Sequence, residues 1–255
     1  MRFLKSGAVA AYSLGGMTVL AMVVALEKGL PRARLRFAFA RLWSKGFLRL
    51  LGIRVVVQGR PLAPPTLLVA NHVSWLDIIL LMSVSSPVFV AKAEMERWPI
   101  LGPVCRALGT LFVARGEASA TQYVASRAAF LLAQRRHVVV FPEGTTSSGE
   151  KVKLFYPRLF QPAIHARVPV QPVALTYPGP KEGRNHPLVP FVGDDELVKH
   201  IWRLLGAMHL RAVMTFCDPI ATAGRPRRDL ARKAQEAVME ALAQRQEGSA
   251  SHTTL

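Results

Sequence analysis

Residues 66–77 read Thr-Leu-Leu-Val-Ala-Asn-His-Val-Ser-Trp-Leu-Asp, and residues 78–83 continue as Ile-Ile-Leu-Leu-Met-Ser. The first five residues are an apolar run of strand length, bounded by prolines on one side and polar residues on the other. The last segment is apolar at helical length. Strand, short polar turn and helix in immediate succession form the unit of an α/β sheet. In such sheets ligands gather at the carboxyl ends of the strands, where Asn71 and His72 stand. Asp77 falls near the start of the helix, and a tight turn would bring its carboxylate back to the imidazole. It would then fix the ring tautomer and stabilise the imidazolium. No serine nucleophile stands beside the pair, so such a base would act on a hydroxyl supplied by a substrate. A plainer reading stays open at this point, in which Asp77 only caps the helix and His72 is a loop histidine.

Outward from this unit the same pattern repeats. Strands are predicted at 53–58, 66–70, 88–91, 110–113, 137–141, 170–177 and 211–216, from β-branched content and bounding Pro or Gly. Helical patterns lie at about 76–84, 93–107, 118–135, 195–206 and 226–244. The fold class expected is α/β: a mixed, largely parallel sheet of about seven strands flanked by helices. It would occupy residues 52–245, with a flexible tail at 246–255. The stretch Val168-Pro169-Val170-Gln171-Pro172 reads as a strand with a proline kink near the edge or end of the sheet.

Two further strand ends carry chemistry-bearing residues. Phe141-Pro142-Glu143-Gly144-Thr145-Thr146-Ser147 follows the apolar run His137-Val138-Val139-Val140. Glycine allows close backbone approach, and the hydroxyls suit polar oxygens. Taken alone, this block reads equally well as a simple turn. Gly109-Thr110-Leu111-Phe112-Val113-Ala114-Arg115 is a short strand ending in arginine. Its guanidinium fork suits phosphate, with a surface salt bridge as the plain alternative.

The N-terminus has another character. Twenty uncharged residues, 7–26, are long enough to cross hydrocarbon of ~30 Å. The run exceeds the ~7–15-residue apolar core of a signal peptide, and no small-x-small cleavage site precedes Glu27. From Pro31 a second helical pattern sets Leu35, Phe39, Leu42 and Leu50 on one stripe. Arg34, Arg36, Arg41, Lys45 and Arg49 surround it, with Phe37, Trp43 and Phe47 among them. A basic amphipathic helix of this kind suits the headgroup boundary of an anionic membrane. Residues 1–51 are therefore expected to be a two-helix membrane anchor, embedded in one leaflet or spanning once.

Composition agrees. The chain of 255 residues carries 33 Lys and Arg against 16 Asp and Glu, a net +17 that favours an anionic partner. Eleven of the basic residues and one acid lie in residues 1–60, in and beside the apolar segment. With no RNA-binding or zinc-finger motif, that placement points to a membrane surface rather than nucleic acid. His165, His186, His200 and His209 are scattered, with no ligand spacing around His72 and Asp77, so no metal is expected. Cys105 and Cys217 read as buried free thiols of a reducing compartment.

Together these blocks resemble the glycerolipid (lysophospholipid) acyltransferase family, and most of all its bacterial 1-acyl-glycerol-3-phosphate acyltransferases. The family's ordered motifs are N-H-x4-D, G-x-x-F-x-x-R, F-P-E-G-T and V-P-[VI]-x-P. Here they are residues 71–77, 109–115, 141–145 and 168–172. Val90-Ala91-Lys92-Ala93-Glu94, then Trp98-Pro99 and Gly102, also look like the family. The resemblance implies transfer of a fatty acyl group from an acyl thioester, acyl-CoA or acyl carrier protein, to the free hydroxyl of a lysolipid. No further cofactor is implied. The first acceptor it implies is 1-acyl-sn-glycerol-3-phosphate, giving phosphatidic acid. His72 would be the general base and Asp77 its orienting partner. Arg115, Glu143, Gly144, Thr145, Lys92, Asn71, Gly109 and Phe112 would serve the acceptor, with backbone N–H groups near Gly144 as candidate oxyanion donors. A thioester donor implies the cytoplasmic face of a bacterial inner membrane. Many lysophosphatidate enzymes carry arginine where this chain has Thr146, and F-K-x-G where it has Phe155-Tyr156-Pro157-Arg158. The E-G-T-T-S form also looks like lyso-ornithine lipid acyltransferases and some lysophospholipid remodelling enzymes. A non-catalytic membrane-surface protein would be expected to lack the His72/Asp77 pair.

Overall fold

The computed structural model describes residues 2–27, 34–114, 118–180, 184–207 and 210–250. Two helices come first, α1 (Arg2–Leu26) and α2 (Arg34–Leu50), followed by β1 (Arg54–Gln58), β2 (Leu67–Ala70), α3 (Leu76–Ser85) and β3 (Val88–Lys92). Then come α4 (Leu101–Ala107), β4 (Leu111–Val113), α5 (Ala118–Ala133), β5 (Val138–Val140) and α6 (Gln161–Ala166). The chain closes with β6 (Val170–Thr176), α7 (Leu197–Leu205), β7 (Arg211–Phe216) and α8 (Arg227–Ala250). All seven expected strands form. They join in one sheet of order β1-β7-β6-β2-β5-β3-β4, parallel at every pairing except β6 with β7.

Strand alternation builds two cores on this sheet. Leu68, Ala70, Val139, Val173 and Leu175 face one layer, with α2, α3 and α7. Leu67, Val69, Val138, Val140, Val170 and Ala174 face the other, with α5, α6 and α8. Helix α3 is wedged between sheet and α2, and its Leu76, Leu80 and Leu81 are fully buried.

Three local expectations change. The strand carrying Pro172, β6, lies third in the sheet rather than at an edge. Val170 exchanges both backbone bonds with Ile220, so the amide position of Pro172 points to that same side. There β7 has already ended at Phe216, and the missing N–H costs no ladder bond toward β2. The helix expected over 93–107 is broken into a 3₁₀ turn, Ala93–Arg97, and α4. Pro99 drives Trp98 into an extended conformation at ψ 131°, which ends the first piece. Helix α8 runs to Ala250, five residues into the stretch expected to fray. Cys105 and Cys217 are unpaired and half-buried, and burial pushes the Cys217 thiol up to about 11.

The N-terminal helices pack as a hairpin against the domain. Helix α1 touches α2, α4 and α7. Tyr12 stacks on Trp43 at 5.7 Å and donates its hydroxyl to the Trp43 carbonyl at 3.1 Å. One side of α1 carries Leu14, Met22 and Leu26, each more than half exposed. It is the one helix among the described residues long and apolar enough to cross a membrane.

Candidate active site

Because β2, β3, β4, β5 and β6 all point the same way, their carboxyl ends meet at one edge of the sheet. That edge gathers Asn71 and His72 after β2, Lys92 at the end of β3, Pro142 to Ser147 after β5, and Tyr177 after β6. Val113, the last residue of β4, lies beside Lys92. Arg115 lies outside the described residues, so the expectation placed on it has no geometry.

The turn after β2 folds around Asp77. Its Oδ2 accepts the Val73 amide at 2.7 Å and the Ser74 amide at 2.9 Å, and lies 2.8 Å from the His72 Nδ1. Its Oδ1 accepts the Tyr177 hydroxyl at 2.6 Å. The carboxylate is fully buried, and four donors replace the water it gives up. Asp77 therefore does cap the turn amides, and it holds the imidazole as well. With the Nδ1 proton given to Asp77, Nε2 presents a lone pair. Among the described residues Nε2 has no hydrogen-bond partner, and the His72 side chain is 17% exposed. Phe141 stacks on the ring at 3.9 Å and 14°, which fixes its plane. Burial, the Asp77 charge and the donated bond push the Tyr177 hydroxyl well above its ordinary value, so it stays a donor.

The other expected residues divide by what they touch. Asn71 is turned into the sheet: its amide donates to the Leu175 carbonyl at 2.9 Å and accepts the Leu175 amide at 2.7 Å. It ties the end of β2 to β6 as a backbone pair would. Glu143 is buried, and its two oxygens accept the amides of His72 at 2.9 Å and Lys153 at 3.0 Å. Burial raises its carboxyl above the ordinary value despite those bonds. Both side chains thus position the site's backbone. Gly144 takes φ +69°, which turns the chain after Glu143, and its amide donates to the Phe141 carbonyl. The amides of Thr145 and Thr146 carry no protein partner among the described residues, and the Ser147 amide bonds the His72 carbonyl at 2.9 Å. Gly109 is the exposed residue just past α4, at φ +72°, and Phe112 is half-buried in β4. Lys92 is exposed. An open cleft of about 480 Å³ is lined by Thr145, Thr146, Ser147, Ser148, Glu150, Lys151 and Lys153 among others, and of these Ser147 bonds the His72 carbonyl.

Tyr177 escaped the sequence reading. It stands one hundred residues from Asp77, at the end of an apolar strand with no motif of its own. The only available signal was its place just after β6, on the edge where Asp77 lies.

The arrangement is a base with one nitrogen unpartnered among the described residues, oriented by a saturated carboxylate at the carboxyl edge of the sheet. Comparison with known proteins gives the family. A family model described as Acyltransferase matches residues 54–176, which spans β1 to the end of β6. The chain is 40% identical over 230 residues to a lyso-ornithine lipid O-acyltransferase of Pseudomonas aeruginosa, covering 88% of this chain and 86% of that one. It is 34% identical over 226 residues to a 1-acyl-sn-glycerol-3-phosphate acyltransferase of Neisseria gonorrhoeae, covering 86% and 85%. The crystal structure of the 1-acyl-sn-glycerophosphate acyltransferase PlsC from Thermotoga maritima superposes with a TM-score of 0.68 at 23% identity, covering 96% and 97%, and so shares the fold. The chain therefore belongs to the acyltransferase family and is an acyltransferase acting on lysolipids.

Proposed function

We propose that the protein is a lyso-ornithine lipid O-acyltransferase, with His72 as the general base. The observation that carries the chemistry is the His72–Asp77 pair, partly exposed, with Nε2 unpartnered among the described residues. Nε2 takes the proton of the lysolipid hydroxyl as its oxygen attacks the thioester carbonyl. The imidazolium so formed is stabilised by Asp77 and returns the proton to the leaving thiolate. No acyl-enzyme is needed. The Thr145 and Thr146 amides are the donors this edge offers to the developing oxyanion.

The headgroup reading rests on Thr146 and its surroundings. An arginine there would add a fork for a phosphate dianion. Instead the cleft holds Lys151, Lys153 and Glu150, with four hydroxyl side chains. Charges of both signs suit a headgroup bearing both a carboxylate and an ammonium, as ornithine does. A relative at 40% identity carries that acceptor in its name. Lysophosphatidate is the second reading, favoured by the two lysines and by the Neisseria relative. Arg115 and Lys92 are assigned to the acceptor's polar end, as is the cleft wall at Thr145. We place the enzyme at the cytoplasmic face of a bacterial inner membrane, drawing acyl-CoA or acyl carrier protein thioesters from that side. Helices α1 and α2 form its anchor, embedded in one leaflet. The packing of α1 along α4 and α7 supports embedding rather than a separate span.

The test is an acceptor panel with both thioester donors. Lyso-ornithine lipid is expected to be acylated in preference to lysophosphatidate and zwitterionic lysophospholipids. Replacing His72 by Ala is expected to remove about 10²–10⁴-fold of the turnover with folding retained. Normal turnover by a folded His72→Ala protein would sink the mechanism. Preference for lysophosphatidate would overturn the acceptor, leaving the chemistry in place.

A further inference from the structure

At the opposite edge of the sheet from His72, the segments entering β2, β3 and β5 border an open cavity of about 200 Å³. Its walls include Phe37, Ser85, Ser86, Arg135, Arg136 and His137. The Arg136 guanidinium lies over the Phe37 ring, 3.6 Å from its centroid, and is half-buried. Among the described residues no carboxylate pairs with Arg135 or Arg136. Among the described residues the acid that acts on Arg136 is Glu27, which is already held by the Arg36 side chain and by the amides of Leu35 and Arg36. Burial and the Arg36 charge lower the Arg136 pKa, the mark of a cation short of counter-charge. His137 is 7% exposed, and its Nδ1 is buried with no hydrogen-bond partner.

A half-buried guanidinium with no ion-pair partner among the described residues, beside a second arginine and the Ser86 hydroxyl, suits an anion. At about 200 Å³ the pocket has room for a phosphate group. Phe37 belongs to α2, one of the two helices proposed above as the membrane anchor, which sets the pocket beside a lipid surface. We propose that this cavity is a second lipid site, separate from the acceptor cleft, that binds the phosphate group of an anionic membrane lipid through Arg135 and Arg136.

The test is flotation of the full-length protein with phosphatidylcholine vesicles, with and without phosphatidylglycerol. Three variants are compared with wild type. Arg136→Gln removes the stacked charge, and Ser85→Glu places a carboxylate in the cavity. Arg49→Gln removes an exposed charge from α2 elsewhere. The gain in binding due to phosphatidylglycerol is expected to fall about fivefold in Arg136→Gln and comparably in Ser85→Glu, and by about twofold or less in Arg49→Gln. Turnover in detergent micelles is expected to match wild type in all three, which reports that they fold. Should Arg136→Gln fail to fold, Ser85→Glu carries the comparison. Equal losses in Arg136→Gln and Arg49→Gln would overturn the site in favour of diffuse surface charge. A separate arm adds inorganic phosphate to the protein in detergent. If phosphate alone raises the melting temperature of wild type but not of Arg136→Gln, and vesicle composition has no effect, the lipid assignment falls.

Discussion

Removing the Tyr177 hydroxyl takes one of four donors from the Asp77 carboxylate and leaves the ring's packing in place. A hydrogen bond to a buried charge contributes about 1.5–3 kcal/mol, so Tyr177→Phe is expected to lose stability of that order. Asp77 is then less firmly held and orients the imidazole less well, so kcat should fall with KM unchanged. A stability loss with an unmoved kcat would reduce Tyr177 to a packing role. His200 is a second buried group outside the reacting pair. Its Nδ1 accepts the Trp75 indole N–H at 3.0 Å, and burial holds its pKa below the ordinary value. The unfolded chain therefore binds that proton first as pH falls. The His200 contribution is whole above about 6.5 and declines from there through the folded pKa. Melting temperature should fall more steeply on acidification in wild type than in His200→Gln. At this scale the sequence showed what lies within one turn. The His72–Asp77 spacing was legible because both ends belong to a single strand–helix junction. The commitments of Asn71 to Leu175 and of Glu143 to the His72 amide were not, because those partners lie 104 and 71 residues away.

Between elements, the α1–α2 contact turns on two glycines. A Cβ at Gly16 would come within 2.1 Å of the Trp43 Nε1, and one at Gly46 within 2.0 Å of the Tyr12 hydroxyl. The aromatic groups fill the space that the missing side chains leave, and Trp43 is itself stacked on Phe47 at 4.9 Å. Replacing both glycines by Leu is expected to pry α1 from α2, at a cost of about 1–3 kcal/mol per overpacked site. Greater acrylamide quenching of Trp43 fluorescence would show it, read in a variant with Trp75, Trp98 and Trp202 replaced by Phe. Unchanged quenching would mean that the helices shift to accommodate the new side chains. Neither glycine stood out in the sequence, because the aromatic group each one admits lies on the other helix. Element existence was legible from periodicity, and all seven strands fall where alternation and β-branching put them. Element ends set by proline were less so. Pro99 divides one expected helix in two, and Pro157 and Pro162 open a 3₁₀ turn and α6 that no apolar period announced.

For the molecule as a whole, the net +17 and the apolar N-terminal helix act on the same membrane by different physics. The charge draws the protein to an anionic surface and is screened by salt, over about 8 Å at physiological strength. Apolar burial is not screened. Leu14 and Met22 lie on the exposed side of α1, 63% and 54% accessible, away from the packed Tyr12. Carboxylates there leave the α1–α2 packing untouched but would each cost about 2.5–3.5 kcal/mol within hydrocarbon. Leu14→Glu with Met22→Glu is therefore expected to move the protein out of the membrane fraction at high salt, where charge attraction no longer holds it. At low salt the basic surface should keep part of it bound to anionic vesicles. Its melting temperature in detergent should stay close to wild type. A double variant that sediments with membranes in high salt would show that α1 does not anchor the protein, and the basic surface of α2 would then be its attachment.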